Sequence, residues 1–164
     1  MFSFFEKNKK LDNIIMSPVN GKCIELSEVP DKVFAEKIMG DGVAFILEDD
    51  KICSPCYGSI ITIASTCHAV GIKSEDGVEI LIHVGVNTVE LNGEGFEVLV
   101  KMNQKVKLGT PLLKINRAFM QEKSINLTTP LVITNSSEYE LEFKSVNQAV
   151  ENGKSEIIKY IKKC

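Results

Sequence analysis

Short runs rich in Val and Ile alternate along this chain with breaks of Gly, Pro, Asn, Asp and Ser, a break falling about every eight to twelve residues. The clearest runs cover residues 43–47, 58–64, 78–84, 112–115 and 131–134. Runs of this length, enriched in β-branched residues and bounded by turn formers, predict strands. Together they predict an all-β protein, an antiparallel sandwich or barrel. Helical periodicity is confined to short pieces, at 31–38, 96–101 and 117–123. Two internal echoes sharpen the picture. Ser17-Pro18-Val19-Asn20-Gly21 returns as Ser54-Pro55-Cys56-Tyr57-Gly58, 37 residues on, and the segment from Asn103 to Gly109 returns from Asn147 to Gly153, 44 residues on. The repetition suggests a duplicated hairpin unit closing the sandwich. No linker divides the chain, so residues 15–164 are read as a single domain, preceded by a flexible N-terminal segment at 1–14.

Composition narrows the function. At 164 residues the chain is long enough for a substantial core, and with 44% hydrophobic residues and no Trp that core must be aliphatic with a few Phe. A net charge of −3 without a dense basic stripe argues against nucleic acid as a partner. The start, Phe2-Ser3-Phe4-Phe5 followed by Lys7, Lys9 and Lys10, offers at most a peripheral membrane contact. It is far shorter than the roughly 20 apolar residues that span a bilayer and lacks a signal-peptide cleavage pattern. Five cysteines, an odd number without disulfide-framework spacing, point to a reducing cytoplasm. Cys53-Ser54-Pro55-Cys56 has C-x-x-C spacing, yet a strand-like run follows it where a redox motif would open a helix, so structural thiols are expected. In a cytoplasmic protein the sequons at Asn126 and Asn135 are chance matches.

The chemistry gathers at the only two histidines, His68 and His83, which flank the polar turn Lys73-Ser74-Glu75-Asp76-Gly77. If that segment folds as a two-residue hairpin, the paired residue numbers sum to 151 or 153, and the imidazoles face each other directly or diagonally on one sheet face. A register of 152 would place them on opposite faces. A neutral imidazole is a nucleophile near neutral pH and can carry a phosphoryl group between two partners, while a second imidazole can donate a hydrogen bond to the phosphoryl oxygens. Thr66, two residues before His68, is placed to fix its tautomer. Gly85 allows close approach past His83. The bland reading, satisfied core histidines, weighs against this for a lone histidine but less for a pair.

The residues around this pair resemble a known family. Val29-Pro30-Asp31-Lys32-Val33-Phe34-Ala35-Glu36-Lys37-Ile38-Met39-Gly40-Asp41-Gly42, Thr66-Cys67-His68-Ala69, Gly77 to Gly85, and Thr88 to Phe96 are similar, in order and spacing, to the glucose-family enzyme IIA of the bacterial phosphoenolpyruvate-dependent sugar phosphotransferase system. The similarity runs from about Ile15 to Ile161. It implies an antiparallel β-sandwich with a shallow apolar depression holding both histidines. It also implies that His83 accepts the phosphoryl group from phosphorylated HPr, and that His68, oriented by Thr66, assists onward transfer to a cysteine of a sugar-specific enzyme IIB. The implied docking face comprises Asp31, Val33, Phe34, Ile38, Val43, Leu81, Asn87 and Val89. No cofactor and no metal are implied. Many relatives carry aspartate where this chain has Asn87, which removes one charge attractive to basic partners, and Lys32 follows the retained Asp31.

Three alternative readings stand beside this one. A regulatory protein could use the same patch, according to phosphorylation state, to bind permeases or metabolic enzymes. A zinc hydrolase of similar architecture needs a third histidine-type ligand that this chain lacks. A biotin or lipoyl carrier needs a lysine at a hairpin tip, and Lys37 in Glu36-Lys37-Ile38 is not framed that way.

Overall fold

The computed structural model describes residues 13–164. Residues 1–12, which hold nearly all of the expected flexible segment and its membrane-contact candidates, lie outside the described residues. Asn13 and Ile14 already belong to the fold, because Ile14 pairs with Lys159 and the Asn13 carbonyl accepts from the Tyr160 N–H.

The described chain forms strands β1 (Ile14–Met16), β2 (Gly21–Glu25), β3 (Asp41–Leu47), β4 (Lys51–Cys53), β5 (Gly58–Ile63), β6 (Ala69–Ser74) and β7 (Glu79–His83). They are followed by β8 (Phe96–Val98), β9 (Lys105–Val106), β10 (Pro111–Ile115), β11 (Thr129–Ile133), β12 (Tyr139–Phe143), β13 (Ala149–Val150) and β14 (Glu156–Lys162). Helix is limited to α1 (Lys32–Ala35), α2 (Arg117–Glu122) and three single-turn 3₁₀ segments. The large sheet runs β13-β2-β3-β11-β7-β6-β5-β9, and two small sheets, β1-β14-β12 and β4-β10-β8, complete the sandwich. Every strand pairing is antiparallel. Aliphatic side chains dominate the buried core, among them Ile15, Ile52, Ile60, Ile72, Ile80, Ile82 and Leu113. None of the described helices is long and apolar enough to cross a membrane.

The internal echoes are structural repeats. Ser17 and Ser54 are both buried, and each hydroxyl donates to the carbonyl two residues on, Val19 and Cys56, at 2.7 Å. The repeats also bond reciprocally: the Met16 N–H donates to Pro55 O and the Cys53 N–H to Pro18 O. In the second echo, β9 pairs with β5 as β13 pairs with β2, with Val106 opposite Gly58 and Val150 opposite Gly21. The duplicated units predicted from the sequence therefore stand at the two ends of the large sheet, β13-β2 at one and β5-β9 at the other.

Two expectations fail. Residues 96–101 are not helical: Phe96–Val98 is strand β8, pairing with Leu113, Lys114 and Ile115 of β10, while Glu97 between them faces solvent. Three residues of apolar-polar-apolar alternation satisfy a strand better than one helical turn. The hairpin register is also wrong. Ala69 pairs with His83 and Lys73 with Glu79, so paired numbers sum to 152. The reason lies in the turn. The Ser74 N–H bonds to Val78 O and the Gly77 N–H to Ser74 O, leaving a three-residue loop that closes with Gly77 at φ +99°.

Candidate functional site

In β7 the alternation sends Ile80 and Ile82 into the core and leaves Leu81 and His83 on the outer face of the large sheet. That face has a small apolar cluster of its own, comprising Ile24, Leu26, Val29, Phe34, Ala44 and Val132, with Leu81 and Val86 packed against it. The segment from Leu26 to Ala35 crosses over this face and seats Phe34 in the cluster. Asp31 starts α1 by accepting the Val33 N–H at 3.0 Å, which turns the chain so that Phe34 points inward and Val33 outward.

With register 152, alternation alone would send His68 to the opposite face from His83. His68, however, precedes β6, and Cys67 just before it adopts a left-handed conformation at φ 62°. The chain is not extended there, so the pleat no longer sets the side-chain direction. The two rings meet with centroids 4.7 Å apart and planes at 77°. Phe34 stands against His83 with centroids 4.8 Å apart. The nucleophile candidate thus sits between an aromatic ring and a second imidazole.

A backbone hydrogen bond fixes the tautomer of His83. The His83 Nδ1 lies 2.9 Å from the Gly85 carbonyl, and a carbonyl can only accept, so Nδ1 carries the proton and Nε2 keeps its lone pair. The Gly85 carbonyl is itself positioned by its surroundings: Gly85 adopts φ +78°, the Thr88 hydroxyl donates to Val84 O at 2.5 Å, and the Val86 N–H donates to Asn126 O. Thr66 Oγ1 lies 2.8 Å from His68 Nδ1, though Thr66 occupies the turn before β6 rather than the strand. Burial, with the neighbouring His68 adding to it, lowers the His83 pKa below the ordinary 6.5; the Gly85 bond and Asp31 oppose this. Burial likewise lowers that of His68. Both imidazoles are therefore neutral at neutral pH.

The implied docking residues separate into groups. Val33, Ile38 and Val89 are exposed apolar side chains, at 41%, 69% and 51%. Leu81 is half-buried, Asp31 half-buried at the helix cap, and Asn87 exposed in a left-handed conformation at φ 59°. Val43 requires correction. It is 1% exposed, because β3 lies between β2 and β11 and its residues 43, 45 and 47 face the main core. Phe34, 5% exposed, forms the floor of the site rather than its rim. The Gly85 carbonyl and Thr88 went unrecognised as site-shaping groups, since neither a backbone acceptor nor a buried threonine leaves a pattern in the sequence. Met39, 38% exposed, escaped the rim assignment although it sits beside Ile38.

The cysteine pair lies elsewhere. Cys53 ends β4, and Cys56 is buried just ahead of β5. Burial raises both thiols, that of Cys56 to about 12, so the free protein holds them as thiols at neutral pH. Among the described residues no group of three or more His, Cys, Asp and Glu is placed to hold a metal ion.

Together these features define an antiparallel β-sandwich with a site of two neutral imidazoles set in an apolar depression. The chain belongs to the glucose-family enzyme IIA proteins: the family described as phosphoenolpyruvate-dependent sugar phosphotransferase system, EIIA 1, matches residues 13–139. The solved glucose permease IIA from Mycoplasma capricolum is 34% identical and superposes with a TM-score of 0.82, covering 88% of this chain and 94% of that one. The Helicobacter pylori Csd3 structure also matches, at 10% identity and TM-score 0.41 over 94% of this chain and 35% of that one, too remote to bear on function. The protein is accordingly a phosphocarrier component of a sugar phosphotransferase system.

Proposed function

We propose that His83 accepts a phosphoryl group from phosphorylated HPr through Nε2 and passes it to a cysteine of a sugar-specific enzyme IIB in the cytoplasm. The observation that carries this reading is the Nδ1 bond to Gly85 O beside a second imidazole, which leaves one nucleophilic lone pair in an apolar depression. The His83 Nε2 lone pair forms the new P–N bond as the P–N bond in HPr breaks, and that electron pair returns to the donor's imidazole. Onward transfer repeats the exchange: a cysteine thiolate of enzyme IIB attacks phosphorus and the pair returns to His83 Nε2. Neutral His83 suits the first step. When the Thr66 hydroxyl donates to His68 Nδ1, His68 offers its Nε2–H to the phosphoryl oxygens and steadies their charge during departure. Val33, Ile38, Leu81 and Val89 form the apolar docking face, flanked by Asp31 and Asn87. Such a patch fits transient partners in succession.

The test is reconstitution with phosphoenolpyruvate, enzyme I and HPr, measuring acid-labile phosphate on this chain. His83→Ala abolishes labelling; His68→Gln still accepts the group but fails to deliver it to enzyme IIB. Full labelling of His83→Ala would sink the proposal.

A further inference from the structure

The family resemblance groups Phe34 with the docking residues, yet its surroundings point to a different task. At 5% exposure it offers a partner almost no surface, whereas its neighbour Val33 is exposed. Its ring is packed among Ile24, Leu26, Val29, Ala44 and Val132, a cluster separate from the main core. Its backbone is held as well: its N–H donates to Asp31 O and its carbonyl accepts from the Lys37 N–H. From this fixed seat the ring contacts one side of His83 at 4.8 Å, within the range of a specific aromatic pair, while His68 stands at 4.7 Å. The Gly85 bond fixes the imidazole at one nitrogen only. A ring tethered at one atom still rocks about that tether, and Phe34 is the wall that restrains it.

We propose that Phe34 is the positioning residue of His83: its immobilised ring fixes the imidazole and screens it from water, and does not serve partner binding. The proposal rests on the reading of His83 as the phosphoryl carrier. In-line transfer depends steeply on the placement of the attacking nitrogen, and a misplacement of about 1 Å is enough to cost on the order of a hundredfold. The ionisable groups that act on His83 are His68 and Asp31, so the loss of a screen here registers in its titration.

The experiment compares Phe34→Leu, with Phe34→Met as a second variant of different shape, against Val33→Ala on the exposed rim. Phosphoryl acceptance is measured over a range of phosphorylated HPr, and both imidazoles are titrated by NMR in the unphosphorylated chain. For the Phe34 variants the saturating rate falls roughly tenfold with KM nearly unchanged. The His83 midpoint rises toward 6.5 while that of His68 stays in place. Val33→Ala raises KM and leaves the His83 midpoint alone. A raised KM at an unchanged saturating rate, with an unmoved His83 midpoint, would make Phe34 a docking contact and overturn the proposal. Failure of both Phe34 variants to fold would equally overturn it, reducing Phe34 to a core residue. If the wild-type chain takes no phosphoryl group from HPr, the carrier reading falls, and the titration, which needs no donor, still decides whether Phe34 shields His83.

Discussion

Adding one methyl group to Gly85 strikes the backbone that holds the His83 imidazole. Gly85 adopts φ +78°, and a Cβ there would lie 2.6 Å from Thr88 Cγ2 and 3.0 Å from Asn126 O. The left-handed conformation costs an L-residue about 1–2 kcal/mol. Forcing the neighbours apart adds about 1–3 kcal/mol, since Thr88 is fully buried and cannot swing clear. Gly85→Ala is thus expected to destabilise the protein by about 2–5 kcal/mol, which for a chain of this size lowers Tm by roughly 4–20 °C. Relief by backbone movement displaces the Gly85 carbonyl and weakens its bond to His83 Nδ1. A neutral hydrogen bond contributes about 0.5–1.5 kcal/mol net, so acceptance by the folded variant slows roughly 2- to 10-fold. Thermal unfolding followed by circular dichroism and quenched-flow phosphoryl acceptance well below Tm measure the two effects. A Tm within about 2 °C of wild type together with an unchanged acceptance rate would refute the reasoning.

Three further outcomes are expected. Thr66→Val removes the hydroxyl bonded to His68 and keeps the branched shape; delivery to enzyme IIB slows roughly 2- to 10-fold while acceptance from HPr holds, and Thr66→Ser restores delivery. Equal slowing of both half-reactions would contradict this. Because His68 and His83 are both shifted below 6.5, the folded state binds fewer protons than the unfolded chain between those lowered pKa values and 6.5. Their contribution to stability is therefore complete above pH 6.5 and is lost as pH falls below it, and acceptance persists to lower pH than a free imidazole allows; urea unfolding and acceptance rates between pH 5 and 8, buffers matched in ionic strength, check both. Asn87→Asp restores a carboxylate in a left-handed conformation that Asp tolerates, and raises the association rate with HPr at low salt, the gain fading near physiological ionic strength. No gain at low salt would end the steering argument.

The sandwich was legible because its strands follow simple rules. Val43 to Leu47 and Leu131 to Ile133 are β-branched or large apolar runs between turn formers, and the echoed Ser-Pro and Asn-Gln segments pair as repeats should. The histidine pairing was foreseen for a reason that proved wrong. The turn residues predict a two-residue turn, whereas the loop holds three residues, and the rings meet because Cys67 leaves the extended conformation ahead of His68. A single left-handed cysteine has no signature in the sequence, because tertiary packing imposes it. Val43 was misplaced because rim and core positions both carry aliphatic side chains, and only the two neighbours of β3 decide between them. The burial of Phe34 has no mark in the sequence either, since its neighbours come from β2, β3, β11 and the Leu26–Val29 segment, brought together only by the fold.

The central claim is that the phosphoryl group resides on Nε2 of His83. The direct measurement is NMR of the ¹⁵N-labelled chain after phosphorylation by HPr, reading ³¹P–¹⁵N coupling and assigning the coupled nitrogen. The account predicts one phosphorylated imidazole, His83, bonded at Nε2, with Nδ1 still protonated against Gly85 O. Coupling to Nδ1 of His83, or to either nitrogen of His68, would contradict it.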